Sequence, residues 1–367
     1  MGEEDSPSHS NSYGAAKASS PSASFNNINK KQTLIEEISD KLIAGDLPTK
    51  IQAAREIRSL IRNRNSSAKI RTKFADSGVI QPLVLMLYSK VHDAREASLL
   101  ALLNLASRNE RNKEQIVTYG AIPPLVELLK FQTATTLREL ATAAILTLST
   151  ALPNKQILVE SGVIPLLVQI LSCGTVQGRV DAVTALYNLS TLIEQPTTVP
   201  DAKAVPPLIN LLKECKKSSK FAEKTTALIE IILKSEEGRL TITEADHGIL
   251  TLVETIEDGS LVSTEHAVSA LLSLCQSCRS KYRELILNEG AIPGLLRLTV
   301  YGTVEAQDMA RTLLDLLRDS PPEKKLSSSV LEKIVHDIAA RVDGSEKTAE
   351  TAKSLLQDMV QRSMSLT

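Results

Sequence analysis

Tryptophan is missing from the 367 residues, only 3 % of them are aromatic, and the four cysteines are scattered. The poverty in aromatics disfavours β-strands. Cys173, Cys215, Cys275 and Cys278 are too few and too spread for a disulfide framework, which fits a reducing compartment. The Cys275-Gln276-Ser277-Cys278 pair is half a zinc site without a second pair or a nearby histidine at ligand spacing, so packed free thiols are expected. An excess of either charge is also lacking: 42 basic and 43 acidic side chains leave a net charge of −1. No overall field therefore draws the chain to nucleic acid or anionic lipid. The amino terminus, Met1-Gly2-Glu3-Glu4 followed by Ser/Asn/Ala-rich sequence, contains no apolar run of the kind found in a signal peptide or a membrane span. A cytoplasmic and/or nuclear location is the expectation. Nucleotide-binding glycine loops and paired-carboxylate motifs are absent as well. His92, His247, His266 and His336 fall at repeat-equivalent loop or helix positions without a nucleophile or ligand neighbour in sequence. The reading therefore expects no catalytic residue, no cofactor and no metal.

What the sequence has instead is a restated phrase. Gly120-Ala121-Ile122-Pro123-Pro124-Leu125-Val126 is preceded 42 positions earlier by Gly78-Val79-Ile80-Gln81-Pro82-Leu83-Val84 and followed 42 later by Gly162-Val163-Ile164-Pro165-Leu166-Leu167-Val168. Weaker versions begin at Lys203 and His247, and a full one returns at Gly290-Ala291-Ile292-Pro293. A period in the low forties belongs to helical solenoids of the armadillo and HEAT kind. Between the anchors, apolar residues recur at helical spacing, as in Leu99, Leu102, Leu103 and Leu105.

Each unit parses into three helices. A short first helix, such as Asn112 to Thr118, closes at the glycine, which tolerates the left-handed conformation. Proline then suits the first turn of a second helix over Leu125 to Lys130. After a polar break, Phe131 to Thr136, a longer third helix runs from about Leu137 to Ser149. Three helices per unit fit the armadillo arrangement better than the two-helix HEAT one. No unit buries its own apolar faces, so the stack must share one core and needs polar ends. The expected organisation is a disordered Ser/Asn-rich tail over 1–30, an N-terminal helical cap and degenerate repeat over 31–72, a repeat array over 73–320, and capping helices over 321–367. Ser6-Pro7 and Ser20-Pro21 in the tail are candidate phosphorylation sites.

On these residues, together with Ala185-Leu186-Tyr187-Asn188-Leu189-Ser190 and Phe221-Ala222-Glu223-Lys224-Thr225-Thr226-Ala227-Leu228, the chain resembles the armadillo family. In particular it is similar to the carboxyl-terminal armadillo region of plant U-box ubiquitin ligases, over residues 32 to 320. The resemblance implies an all-α, armadillo-type α-α right-handed superhelical solenoid whose third helices line a concave groove. Partner segments bind in that groove, often held by one Asn per repeat. The matching ladder positions here are Asn104, Thr147, Asn188, Glu230, Ser273 and Asp315, so the amide survives only twice. Where import receptors of the family place Trp, this chain has Leu100, Ala143, Thr184, Thr226, Ser269 and Arg311, which argues against cation–π clamping of basic side chains. Asp181, Glu223 and Asp308 join Glu230 and Asp315 to make the carboxyl-terminal half acidic, which suits an extended segment bearing Lys or Arg.

The functional expectation is a non-catalytic scaffold or adaptor for other proteins, in plant signalling or ubiquitin pathways as the resemblance implies. A U-box needs about seventy residues, and the reading finds no room for one ahead of the first helix. Two alternatives are a component acting with a partner U-box ligase, and a scaffold tethered to membrane through an acylated Gly2. No nucleic-acid partner is expected.

Overall fold

In the computed structural model of the chain the described residues are 21–62, 67–130, 135–191, 202–318 and 354. The expectations for the first twenty residues, including Gly2 and Ser6, and for the helices beyond 320 lie outside them. The amino-terminal pair is α1 (Pro21–Ala44) and α2 (Leu47–Arg62). Triplets follow: α3 (Ser67–Asp76), α4 (Ile80–Met86) and α5 (His92–Ala106); α6 (Glu110–Thr118), α7 (Ile122–Lys130) and α8 (Thr135–Leu148); α9 (Leu152–Glu160), α10 (Val163–Cys173) and α11 (Val176–Ser190). A 3-10 turn at Ala202–Ala204 leads into α12 (Val205–Glu214) and α13 (Lys220–Ile232). The last two triplets are α14 (Glu236–Glu244), α15 (Gly248–Asp258) and α16 (Leu261–Ser277), then α17 (Arg279–Asn288), α18 (Ile292–Tyr301) and α19 (Val304–Leu317). Residues 21–30 are thus helical and not tail, a correction to the sequence reading. Proline at the first helical position starts a helix readily, and its polar run was mistaken for low complexity.

The turn between first and second helices has one physical cause. Gly120 has φ +85°, its N–H bonds the Val117 carbonyl at 2.9 Å, and the Ala121 N–H bonds the Ile116 carbonyl at 3.2 Å. These two bonds satisfy carbonyls that the end of α6 would otherwise leave open. Gly78, Gly162 and Gly290 take the same conformation, with φ between +74° and +79°. In the degenerate unit His247 itself adopts φ +56°, and Gly248 becomes the first residue of α15. That glycine serves a different need, because a Cβ there would run into the Ile242 carbonyl oxygen.

Four of the third helices, α11, α13, α16 and α19, are started by side-chain caps. Thr175, Ser219, Ser260 and Thr303 each accept a bond from the backbone N–H three residues on, at 3.1–3.2 Å; such caps contribute about 1 kcal/mol apiece. At the other end, cations on first helices meet the carbonyl-rich terminus of a third helix: Arg71 Nε donates to the Asn104 carbonyl at 2.9 Å, and Arg283 Nε to Leu317 at 2.9 Å. Positive charge is favoured there by the helix dipole. Buried Asn112 and Asn154 tie successive first helices together, donating to Arg71 and Lys113 carbonyls at 3.4 and 3.2 Å while also bonding Leu105 and Leu148.

Packing follows from the small residue at one repeat position. Ala101, Ala144, Ala185, Ala227 and Ala270 are all buried, and α2, α5, α8, α11, α13, α16 and α19 pack each against the next in an unbroken row. One hydrophobic core runs from Ile35 to Leu317. Among the described residues no single helix is long and apolar enough to cross a membrane; α9 and α10 pass only as a pair bent by 84°.

Replacing Gly120 by Ala should lower stability by about 1–2 kcal/mol, the ordinary cost of left-handed backbone, since nothing lies within 4 Å of the new Cβ. Gly248→Ala should cost more, because its methyl meets backbone. Urea denaturation of the two variants side by side checks the order, and equal losses would contradict this account of the turns.

Candidate functional site, the face of the third helices

The exposed face of the third-helix row carries one polar ladder position per repeat. Most of these side chains are already engaged. Asn104 Nδ2 donates to the Leu100 carbonyl of its own helix at 2.6 Å, and Asn188 Nδ2 donates to Ser149 Oγ, just past the end of α8, at 3.0 Å. The Thr147 and Thr184 hydroxyls donate back to Ala143 and Val180 carbonyls at 2.8 and 3.0 Å. Leu100 and Ser273 are half-buried on the row. Thr226 is not on the face at all: it is fully buried, its hydroxyl bonded to the Ala222 carbonyl at 2.8 Å. That internal bond lets a threonine enter the core of a helix without an orphaned polar group, so the placement of Thr226 in the groove is corrected.

The acidic half is organised by pairing. Glu230 Oε2 lies 2.6 Å from His266 Nδ1, and the Ser269 hydroxyl donates to Glu230 Oε1 at 2.6 Å, both across the α13–α16 seam. Burial alone would raise the Glu230 carboxyl, but the bonds from His266 and Ser269 outweigh it and hold the group below its ordinary value. Glu223 accepts from Lys220 at 2.9 Å and from Ser260, the cap residue before α16, at 2.8 Å, and is likewise depressed against the upward push of burial. Asp308 pairs with Arg311 at 2.9 Å, and exposed Asp315 sits 3.6 Å from Arg318. Arg311 also reaches the Gln307 side chain at 3.4 Å. Asp181 differs. Burial, opposed by a bond from Gln177 at 2.8 Å and reinforced by the charge of Glu139 on α8, keeps its carboxyl above the ordinary value.

Sequence reading missed His266 as a member of this face. His266 lies 36 positions after Glu230, short of the repeat of about 42, so counting by repeats sets Ser273 and not His266 beside Glu230. His92 is corrected as well, with Asp93 and Glu96 carboxylates 3.9 and 4.0 Å from its Nδ1. These three residues at the start of α5, His92 and Asp93 exposed and Glu96 half-buried, gather ligand-type atoms within 4.8 Å, and Asp93 is already paired with Arg55 at 3.1 Å. Of the two clustered cysteines only Cys275 is packed; its thiol is pushed up by burial. Cys278 is exposed in the link from α16 to α17, and a bond with Ser280 lowers it.

Comparison with known proteins agrees with this architecture. Residues 109–150 match the armadillo/β-catenin-like repeat, and residues 155–337 match the ARM repeat region of plant U-box proteins. The chain belongs to the armadillo-repeat family. It is 38 % identical to U-box domain-containing protein 17 of Arabidopsis thaliana over 82 % of this chain and 42 % of that protein. Identity to U-box domain-containing protein 45 of the same plant is 30 %, over 78 % of this chain and 37 % of the relative. The armadillo chain thus spans less than half the length of either. A solved engineered protein, 21 % identical, superposes with a TM-score of 0.63 over 88 % of this chain and 78 % of its own, which speaks to fold alone.

The Glu230 carboxyl gives a pH signature. A carboxylate depressed on folding stabilises above its ordinary value of 4.5 and loses that contribution as pH falls through the lower folded value. Glu230→Gln should therefore flatten part of the stability loss below about pH 5. An unchanged acid limb in the variant would mean that the His266 and Ser269 bonds do not hold the ionised form.

Proposed function

We propose that the chain is a non-catalytic interaction module that holds an extended, Lys- or Arg-bearing segment of a partner protein against its third-helix face. The family and the unbroken row of third helices support the scaffold role. The charge preference rests on one observation: the Asp181 carboxyl is raised, first by burial and then by the charge of Glu139 on the adjacent third helix. A partner ammonium or guanidinium would replace that repulsion with an ion pair. Glu230, held ionised and partly exposed, offers a second point of attachment on α13, the next third helix in the row. Helix layers are about 8–10 Å apart and an extended chain advances about 3.3 Å per residue, so each layer meets roughly every third partner residue.

The names of the relatives favour placing this binding in the ubiquitin pathway, with the chain acting alongside a partner U-box ligase. A cytoplasmic or nuclear setting belongs to the same proposal. Of the ladder amides that would clamp any main chain regardless of sequence, only Asn104 and Asn188 are present, and each already gives an N–H to an internal bond. Selectivity therefore falls to side-chain charge.

A fluorescein-labelled ten-residue peptide rich in Lys and Arg is the probe. The Glu230→Lys/Asp315→Lys double variant and the Glu139→Gln/Asp181→Asn double variant should each weaken its binding at least tenfold. Affinity unchanged by both, with the variants folded by circular dichroism, would remove the acidic face from the account.

A further inference from the structure

At the edge of the stack, where α5 hands over to α6, a concavity of about 640 Å3 is walled by Lys69, Arg71, Thr72 and Lys73 of α3 and by Arg108 and Asn109 of the turn. Four cations face it. The single carboxylate in the wall, Glu110, is held by Lys113. Arg71 spends its Nε on the Asn104 carbonyl and Lys73 donates to Gln32 at 2.7 Å, whereas Lys69 and Arg108 have no side-chain hydrogen bond or ion pair among the described residues. Burial and then the charge of Arg108 both press the Arg71 guanidinium below its ordinary value, so the two like charges stand in uncompensated proximity.

The backbone adds an independent observation. Arg108 has φ +54°, one of only two non-glycine residues with positive φ among the described residues. At the same place in the corresponding turns, one residue before the cap of the first helix, stand Thr150 and Lys234, and neither has positive φ. A non-glycine residue held at positive φ is strained, and glycine would relieve it. Such strain gathers where a side chain must be aimed. Here the side chain is a guanidinium beside another guanidinium.

We propose that this concavity binds a phosphorylated serine or threonine of a partner protein. A phosphate carries about −1.5 to −2 charges and three acceptor oxygens, which matches two guanidinium forks and an ammonium better than a monoanionic carboxylate does. The site lies on the opposite end of the array from the acidic seam at Glu230, and Asn104 links it to the inner row. It shares with the scaffold reading only the premise that the ligand belongs to a protein.

The test uses the full chain and two fluorescein-labelled degenerate peptide pools, one with a fixed central phosphoserine and one with serine, with inorganic phosphate as competitor. The phosphoserine pool should bind at least tenfold more tightly. Arg108→Gly should abolish that preference while leaving the melting temperature equal or higher, because it removes the charge and relieves the strain together. Lys69→Ala should weaken it severalfold. The Glu230→Lys/Asp315→Lys variant should leave it intact, so failure of the acidic-face reading and failure of this one are separable. Equal binding of the two pools, a preference that survives Arg108→Gly, or binding only to vesicles containing phosphatidylinositol phosphate would overturn the proposal.

Discussion

Everything in this molecule depends on third helices lying close against one another, and that closeness depends on a methyl group. Ala101, Ala144, Ala185, Ala227 and Ala270 occupy one position in five successive units and are buried in each. A larger side chain at such a contact pushes neighbouring helices apart or forces strained rotamers, typically at a cost of about 1–3 kcal/mol. With alanine there, each unit covers its neighbour's apolar face, and a single core extends through the described array. No unit has a complete core of its own, which is why stability in such chains is a sum over neighbours.

The same closeness brings polar side chains from different units within bonding distance. Asn188 reaches Ser149, Ser260 reaches Glu223, Thr303 reaches Glu265, and Glu230 is shared by His266 and Ser269. Each bond spans 36–39 positions of sequence and one layer of structure. They fix the rotation of each helix about its axis and so decide which carboxylates stay ionised toward solvent. The row then carries a charge pattern of its own, cationic beside Asn104 and acidic from Asp181 onward, although the chain as a whole is nearly neutral. Net charge was silent about partners because it sums 42 basic and 43 acidic side chains without regard to where they stand.

What sequence could disclose was local. The Gly-Ala-Ile-Pro-Pro phrase announces its turn because glycine and proline each have one backbone use there, and the Ser and Thr caps stand at the positions where third helices begin. Degenerate units were harder. The turn at His247 is left-handed without a glycine, and nothing in composition distinguishes the neighbouring Gly248, whose role is to let a carbonyl approach. Thr226 was assigned to the open face by counting, but its hydroxyl is satisfied within its own helix and the rotation of α13 buries it. Pairings such as Glu230 with His266 need the axial offset between helices, which follows from packing and leaves no trace in a single helix.

Native-state hydrogen exchange on Ala185→Leu tests most directly whether the chain is one core shared between layers. The account predicts that protection falls in α11 and in the helices packed on it, α8 and α13, while α2 and α19 keep theirs. Loss confined to α11 alone, or uniform loss across the whole chain, would contradict it.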